Sequence, residues 1–283
     1  MTPQELLKKL KKQGYDQYWE EIKTVIYSET LLIPSPIKWD DFPCGHTKQG
    51  GTPDLPPEVP WPKYECYGVP GLRKTSKPMT FLLQLHCGTL KTFDPTGLFP
   101  DRGLLSFFVA MNREEVFHDS RGMIPARVIY TAPESSCFLQ RLSFPKGLSH
   151  ILHLEVNKLK LEQSWNVGLD ALCDVLDRNS GTSAMDYEDY MKIIEFHTQE
   201  LVPTFSHIMF GEPNSNHLNI FEECRCVFKE KEPDQPEEPF LLLLQYSLEE
   251  IPFLNGFLYF MIRRSDLAAL QFDRVLVFYD SPV

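Results

Sequence analysis

The distribution of apolar residues along the chain repeats itself. Two apolar runs, each opened by a proline and closed by a glutamine, can be aligned without a gap. Each is followed by an apolar run that starts with glycine and by a third run of β-branched and aromatic residues, which is a pattern typical of β-strands. The matched segments are 78–84 with 239–245, 103–108 with 256–261, and 127–130 with 274–277.

This repeat predicts two β-rich half-units. No helix-length amphipathic pattern separates the strands within a half-unit, so we expect antiparallel pairing rather than the crossovers of a parallel sheet. Near-continuous apolar runs such as 240–244 indicate strands that are covered on both faces. We therefore predict an α+β fold, mainly antiparallel β, in which the two half-units share one core.

Helices are predicted at the N-terminus and between the half-units. Residues 2–5 have the pattern of a capping box with proline in the first turn, and a 3.6-residue apolar period from 15 to 26 predicts a second helix. A helix from about 187 to 200 can be capped by Asp186. Its predicted apolar face comprises Tyr187, Tyr190, Met191 and Ile194.

We interpret the whole chain, 1–283, as a single domain. Pro34 and Pro36 are expected to end a short strand at 31–33, and the proline-rich stretch from there to Pro78 predicts an ordered covering loop. The predicted parts are N-terminal helices at 1–30, a first half-unit with this loop at 31–148, a helical insertion and linker at 149–238, and a second half-unit at 239–283.

Composition narrows the range of functions. The net charge is −11, and an acidic chain lacks the basic face that a phosphate backbone attracts, so we expect no nucleic-acid partner. The start of the chain lacks the regions of a signal peptide, and the longest apolar run, 257–262, is far shorter than the roughly 20 residues that cross a bilayer. We expect a cytoplasmic protein with no membrane partner, and its oligomeric state stays open.

No motif in the chain defines a reaction. Gly50 and Gly51 lack the Lys-Ser/Thr of a phosphate-binding loop, and there is no Gly-x-Ser-x-Gly nucleophile elbow. Cys44, His46, Cys224 and Cys226 lack the short spacing of zinc ligands, so reduced cysteines, no metal and no cofactor are expected. Enzymatic activity stays undecided.

The order of several short motifs resembles the YwqG-like family, whose members are catalogued as a domain of unknown function. The motifs are 50–56, Trp61-Pro62, 81–85, 99–108 and 207–213, and the resemblance extends from about 31 to 280. It implies an architecture rather than a mechanism. It also implies a setting, because YwqG-like genes have been proposed to encode immunity proteins beside secreted toxins.

The leading hypothesis is a non-catalytic binding protein, in the form of an immunity-type inhibitor that faces a basic protein partner. The alternative is a small-ligand-binding protein or hydrolase with a pocket between the half-units. His207 is the histidine to test first, although a structural role is favoured, and the equivalent Gln84 and Gln245 are expected to bond backbone groups of the loops. The candidate binding residues are Gly50, Gly51, Trp61, Gln84, His207 and Gln245.

Overall fold

The computed structural model describes residues 1–38, 42–66, 75–111, 122–136, 138–179, 186–202, 207–215, 218–249, 251 and 254–280. Within these ranges, ten strands form one antiparallel sheet and two pairs of short strands form separate ribbons. The strands are β1 (Ile26–Pro36), β2 (Lys48–Gln49), β3 (Asp54–Leu55), β4 (Lys63–Cys66), β5 (Thr75–Pro78), β6 (Thr80–His86), β7 (Leu104–Val109), β8 (Ala126–Thr131), β9 (Gln140–Arg141), β10 (Asn157–Val167), β11 (His207–Met209), β12 (Phe240–Ser247), β13 (Phe257–Arg263) and β14 (Leu276–Asp280).

The order of strands in the large sheet reads symmetrically from its centre. β1 and β10 pair with each other over all their residues, and each is followed outward by a short strand and three long ones. The full order is β14-β13-β12-β11-β1-β10-β2-β6-β7-β8, and the ribbons are β3-β9 and β4-β5. The predicted fold of two repeated units that share one core is confirmed.

Matched hydrogen bonds show that the two units are true counterparts. Tyr130 and Tyr279 each donate their hydroxyl to a carbonyl just before the glycine-started strand, at 3.0 Å in both units. The ladder between the first two long strands of each unit is interrupted at one residue, Leu82 in one and Leu243 in the other. Such a bulge inserts one extra residue and bends the strand, so the units share even this irregularity.

The register of the sheet corrects two predictions. β10 pairs with β2 as β1 pairs with β11, so β10 and β11 are the counterparts of β1 and β2. The second unit therefore begins at residue 157, and the predicted insertion at 149–238 supplies two of its strands. The third repeated segment was aligned two residues too early, since Val128 opposes Phe107 as Val277 opposes Phe260. A shift of two keeps every side chain on its face, which is why the pattern alone did not reveal it. We name 26–141 the first repeat and 157–280 the second repeat.

β1 is longer than predicted at both ends. It begins at Ile26, which the apolar period had assigned to a helix, and it continues through Pro34 and Pro36. On the β11 side its ladder covers only residues 30–32, whereas β10 pairs with it throughout. The prolines therefore lie outside the β11 ladder, at positions where one edge of β1 has no paired strand among the described residues. Proline has no N–H to donate to a ladder, and it is tolerated at such positions.

Eight helices lie in the described part of the chain. The N-terminal helix has the predicted capping box at Thr2 and Glu5. The predicted apolar face of α6 was wrong: Tyr187, Tyr190 and Met191 are exposed, and Ile193 and Phe196 are buried instead. The helices are α1 (Pro3–Lys12), α2 (Trp19–Val25), α3 (Cys87–Leu90), α4 (Pro133–Ser136), α5 (Leu169–Asn179), α6 (Tyr187–Phe196), α7 (Ile220–Lys231) and α8 (Arg264–Ala268).

The main core joins the two repeats. The rings of the equivalent residues Phe107 and Phe260 meet edge to face with centroids 5.3 Å apart, and Gln49 of the first repeat donates to the Tyr246 hydroxyl of the second at 3.0 Å. At the far edges a bridge between Met123 and Phe278 brings the ends of the sheet together. None of the described helices has the length and apolar character to cross a membrane.

Candidate functional site: an acidic cleft on the second repeat

The described residues enclose a cleft of about 1280 Å³ on the second repeat. It lies between the start of α5, the side of α6, the segment after β11 and the start of α7, and Tyr27 of β1 also lines it. Binding clefts for small molecules commonly measure about 300–1,000 Å³. The cleft therefore has room for more than a small metabolite.

Three carboxylates without a cationic partner among the described residues lie at one end of this cleft. Asp170 and Asp174 are one turn apart on α5, so they share a helix face. Glu212 belongs to the segment after β11, and its burial together with the nearby Asp170 charge raises its pKa above the ordinary value. The unneutralised charge makes this end of the cleft attractive to a cation.

Gly168 allows the Glu212 carboxylate to lie against the start of α5. A Cβ atom built on Gly168 would lie only 2.0 Å from Glu212 Oε2. Any side chain at residue 168 would therefore displace the carboxylate. The absence of a side chain at this residue is what places Glu212 beside Asp170 in the cleft.

Part of the cleft lining is apolar and aromatic. Tyr190 and Ile194 of α6 line the cleft, as do Phe221 and Phe257. Tyr190 is 40% exposed. The sequence had indicated that Tyr190 and Ile194 share one face of a helix, and the structure turns that face to the cleft rather than to the core. A charged end beside an aromatic wall suits a ligand that is both cationic and partly apolar.

The corresponding segment of the first repeat is closed. Lys48 opposes Gln84 as Ile208 opposes Gln245, so residues 50–54 correspond to 210–214. In the first repeat the Lys48 ammonium, which is fully buried, donates to Thr52 O at 2.7 Å and lies 3.3 Å from Asp54 Oδ2. The first repeat thus supplies its own cation.

A second cation also binds Asp54. Arg141 of β9 donates from Nε to Asp54 Oδ1 at 2.9 Å, and Gln84 Nε2 donates to Asp54 Oδ2 at 2.7 Å. Burial alone would raise the pKa of Asp54, but these bonds and the Lys48 charge hold it below the ordinary value. Burial lowers the pKa of Lys48 to about 8, so both members of the pair are charged at neutral pH.

Four of the predicted site residues are structural parts of these segments. Gly50 has φ 67°, and a Cβ there would lie 1.9 Å from Glu155 O, while Gly51 donates its amide to Leu154 O at 2.8 Å. Gln84 Oε1 accepts from Asp54 N and Gln245 Oε1 accepts from Asn214 N, each at 2.9 Å. The repeat glutamines hold equivalent loop amides in the two copies.

His207 and Trp61 are also held by their own chain. His207 is stacked on Tyr246 and its Nδ1 accepts from Ser247 N at 3.0 Å, and burial lowers its pKa to about 3. It is therefore neutral near pH 7 and does not line the cleft. Trp61 Nε1 donates to Met79 O at 2.8 Å. Among the contacts of the described residues, neither side chain has a partner arranged for catalysis.

The structure groups the predicted residues by repeat. Gly50, Gly51 and Gln84 lie together in the first repeat, and His207 and Gln245 lie together in the second. Trp61 belongs to the first repeat, where it contacts Met79 and Phe108. In the described ranges no group of three or more His, Cys, Asp or Glu side chains is arranged to hold a metal ion. Of the four residues considered for zinc, Cys224 is buried and Cys44 and Cys226 are exposed.

Sequence reasoning missed the three cleft carboxylates. Glu212 lies inside the segment 207–213 that carries the family resemblance, in which His207 was the predicted site residue. Asp170 and Asp174 have the four-residue spacing of one helix face. This spacing indicates a shared face only if residues 169–179 form a helix, which the structure shows.

The fold and the cleft define a duplicated α+β protein with one closed and one open copy of the same loop. The chain belongs to the family described as Domain of unknown function (DUF1963), whose model matches residues 47–281. A search of curated proteins found no match.

Proposed function

We propose that this protein is a non-catalytic binding protein whose acidic cleft receives a basic segment of a protein partner. The observation that carries the proposal is the group formed by Asp170, Asp174 and Glu212 at one end of a cleft of about 1280 Å³. Electrostatic complementarity of this kind accelerates association and excludes like-charged partners.

The same proposal assigns the chain to the YwqG-like members of its family, in the role of an immunity-type inhibitor of a basic partner. Support comes from the net charge of −11 and from the size of the cleft, which suits a peptide segment. The residues considered for a hydrolase give less support, because His207 is buried against Tyr246. At Phe107 and Phe260 the seam between the repeats is filled by packed rings.

The test uses a 12-residue peptide of alternating Arg and Thr as a basic probe, titrated onto the full chain by calorimetry. The cleft variant carries Asp170→Asn, Asp174→Asn and Glu212→Gln. The control variant carries Glu58→Gln, Glu134→Gln and Glu155→Gln, which removes the same charge from exposed sites outside the cleft.

Saturable binding that weakens with salt and falls about tenfold or more in the cleft variant alone is the expected result, since charge pairs at an interface each contribute about 1 kcal/mol or more. Equal weakening in both variants would show that net charge, not the cleft, attracts the peptide. A wild-type protein that does not bind the probe at low salt would refute the proposal.

A further inference from the structure

We infer that the partner's basic segment adds to the second repeat as a β-strand along residues 213–215, in the place that β9 fills in the first repeat. A cationic side chain of the segment then pairs with Glu212. This inference rests on the proposed function and specifies how the cleft recognises its partner. The internal duplication supports this inference, because the first repeat shows the same loop paired with a strand.

In the first repeat the loop is completed by a short strand. Residues 54 and 55 of β3 pair with Arg141 and Gln140 of β9, and Leu142 N donates to Pro53 O at 3.0 Å. Because hydrogen-bonded and non-hydrogen-bonded positions alternate in an antiparallel pair, the amide of Arg141 points away from β3. The Arg141 side chain reaches Asp54 and remains 24% exposed.

The second repeat has the same loop, and none of the described residues forms a strand in the place of β9. Pro213, Asn214 and Ser215 are the counterparts of residues 53–55 and line the cleft. The repeat glutamine holds the amide of residue 214 at the same 2.9 Å as the amide of residue 54, so the backbone is presented in the same way. No strand in the described part of the chain pairs with residues 213–215.

In the first repeat the carboxylate of Asp54 binds Arg141 of β9. In the second repeat a carboxylate lies two residues earlier in the loop. Asp54 is replaced by Asn214, but Glu212 precedes it by two positions, and both residues line the cleft. Glu212 also has Asp170 beside it. Adding a strand to an exposed segment is a common mode of peptide recognition, in which backbone bonds give affinity and side-chain pockets give specificity.

The closest available probe is the chain's own β9 segment. A peptide with the sequence of residues 138–144, acetylated, amidated and carrying a fluorophore, is titrated with full-length protein and followed by fluorescence anisotropy. We expect saturable binding that weakens about fivefold with Glu212→Gln. The exposed control Glu58→Gln should leave it unchanged, and a peptide with Ala in place of its Arg should bind no better to wild type than to Glu212→Gln.

Backbone pairing is tested by methylating single amides of the peptide. Methylation at the Leu that corresponds to Leu142 removes the donor to the Pro213 carbonyl and should weaken binding about fivefold, as expected for one lost hydrogen bond. Methylation at the Arg, whose amide points away from the loop, is the matched control and should have little effect.

The two proposals fail in different ways. If the Arg-Thr peptide binds the cleft but the β9 peptide does not, or if both methylations weaken the β9 peptide equally, strand addition is wrong and the basic-partner cleft stands. If neither peptide binds wild-type protein, both proposals are overturned.

Discussion

The two copies of one loop in this protein differ: one is closed by side chains of the same chain, and the other lines an open cleft. Residues 50–54 are sealed by Lys48, Arg141 and Gln84, and two cations of the same chain neutralise Asp54. Residues 212–214 line an open cleft in which Glu212 has no cation among the described residues. Duplication supplies two equal backbones, so the difference resides in a few side chains: Lys48 against Ile208 and Asp54 against Asn214.

The backbone itself shows the same contrast. Gly50 and Phe210 occupy equivalent positions with nearly equal positive φ, 67° and 65°. At Gly50 the close approach of Glu155 O leaves no room for a side chain, whereas Phe210 keeps the left-handed conformation and packs its ring on Phe99 at 5.4 Å. A phenylalanine in this region is strained by about 1–3 kcal/mol, and the aromatic contact with Phe99 offsets part of that cost.

The largest expected effect comes from breaking the closed copy. Asp54→Asn leaves the buried Lys48 without its charge partner, and unpairing a buried ion costs about 3–5 kcal/mol of the free energy of unfolding. The double replacement Lys48→Ile with Asp54→Asn reproduces the residues of the second repeat and should cost less than Asp54→Asn alone. Urea denaturation measures both, and a double variant less stable than the single one would contradict the pairing.

Replacing a glycine by alanine in each loop tests how tightly the backbone of each copy is packed. Gly50→Ala should destabilise the protein by about 3 kcal/mol or more, because it combines a positive φ with a clash against the Glu155 carbonyl. Gly211→Ala, at the counterpart of Gly51, should cost less, since its φ is not positive and its nearest neighbours, Glu29 Cβ and Tyr27 Cε2, lie at 3.1 Å rather than 1.9 Å. Thermal unfolding of the two variants side by side gives the comparison, and equal losses would refute it.

A pH dependence is expected from Glu29 on β1, at a position whose counterpart in the second repeat is Val156. Burial raises the Glu29 pKa from 4.5 to about 7, so the folded state holds this proton more tightly than the unfolded state. The raised pKa of Glu29 therefore adds to the free energy of unfolding at low pH. This stabilisation is complete below pH 4.5, is lost as the pH rises through 7, and amounts to about 3 kcal/mol.

The variant Glu29→Gln isolates this contribution. Its stability, measured by urea denaturation from pH 4.5 to 8, should fall less with rising pH than that of the wild type. Parallel pH profiles would show that Glu29 titrates normally in the folded protein.

The smallest effect on stability is expected in the open copy. Glu212→Gln removes a carboxylate that has no ion-pair partner among the described residues, so the free energy of unfolding should change by no more than about 0.5 kcal/mol. Its consequence should be confined to binding of basic peptides. A destabilisation comparable to that of Asp54→Asn would show that Glu212 has a structural role like that of Asp54.

The repeat made much of the fold predictable, because apolar runs that recur with their proline, glycine and glutamine specify strands and their order. The prediction failed where one sequence pattern is compatible with both a helix and a strand. Residues 15–26 fit a helical period although Ile26 begins a strand, and the sheet partners of β10 and β11 are long-range contacts that no local pattern records.

The site was predictable only in part for the same reason. Gln84, Gln245 and the glycines were found from the motifs, and the structure shows that they shape the two loops. The cleft depends on Gly168 and Glu212 meeting across the fold, which the spacing of residues along the chain does not reveal.

Hydrogen–deuterium exchange of the two loops, with and without a saturating basic peptide, tests the contrast between closed and open copies most directly. Residues 52–55 should be protected in both conditions, since β9 and Gln84 already bond them. Residues 212–215 should exchange faster in the free protein and become protected when the peptide binds. Protection of 212–215 that does not change with saturating peptide would contradict the account.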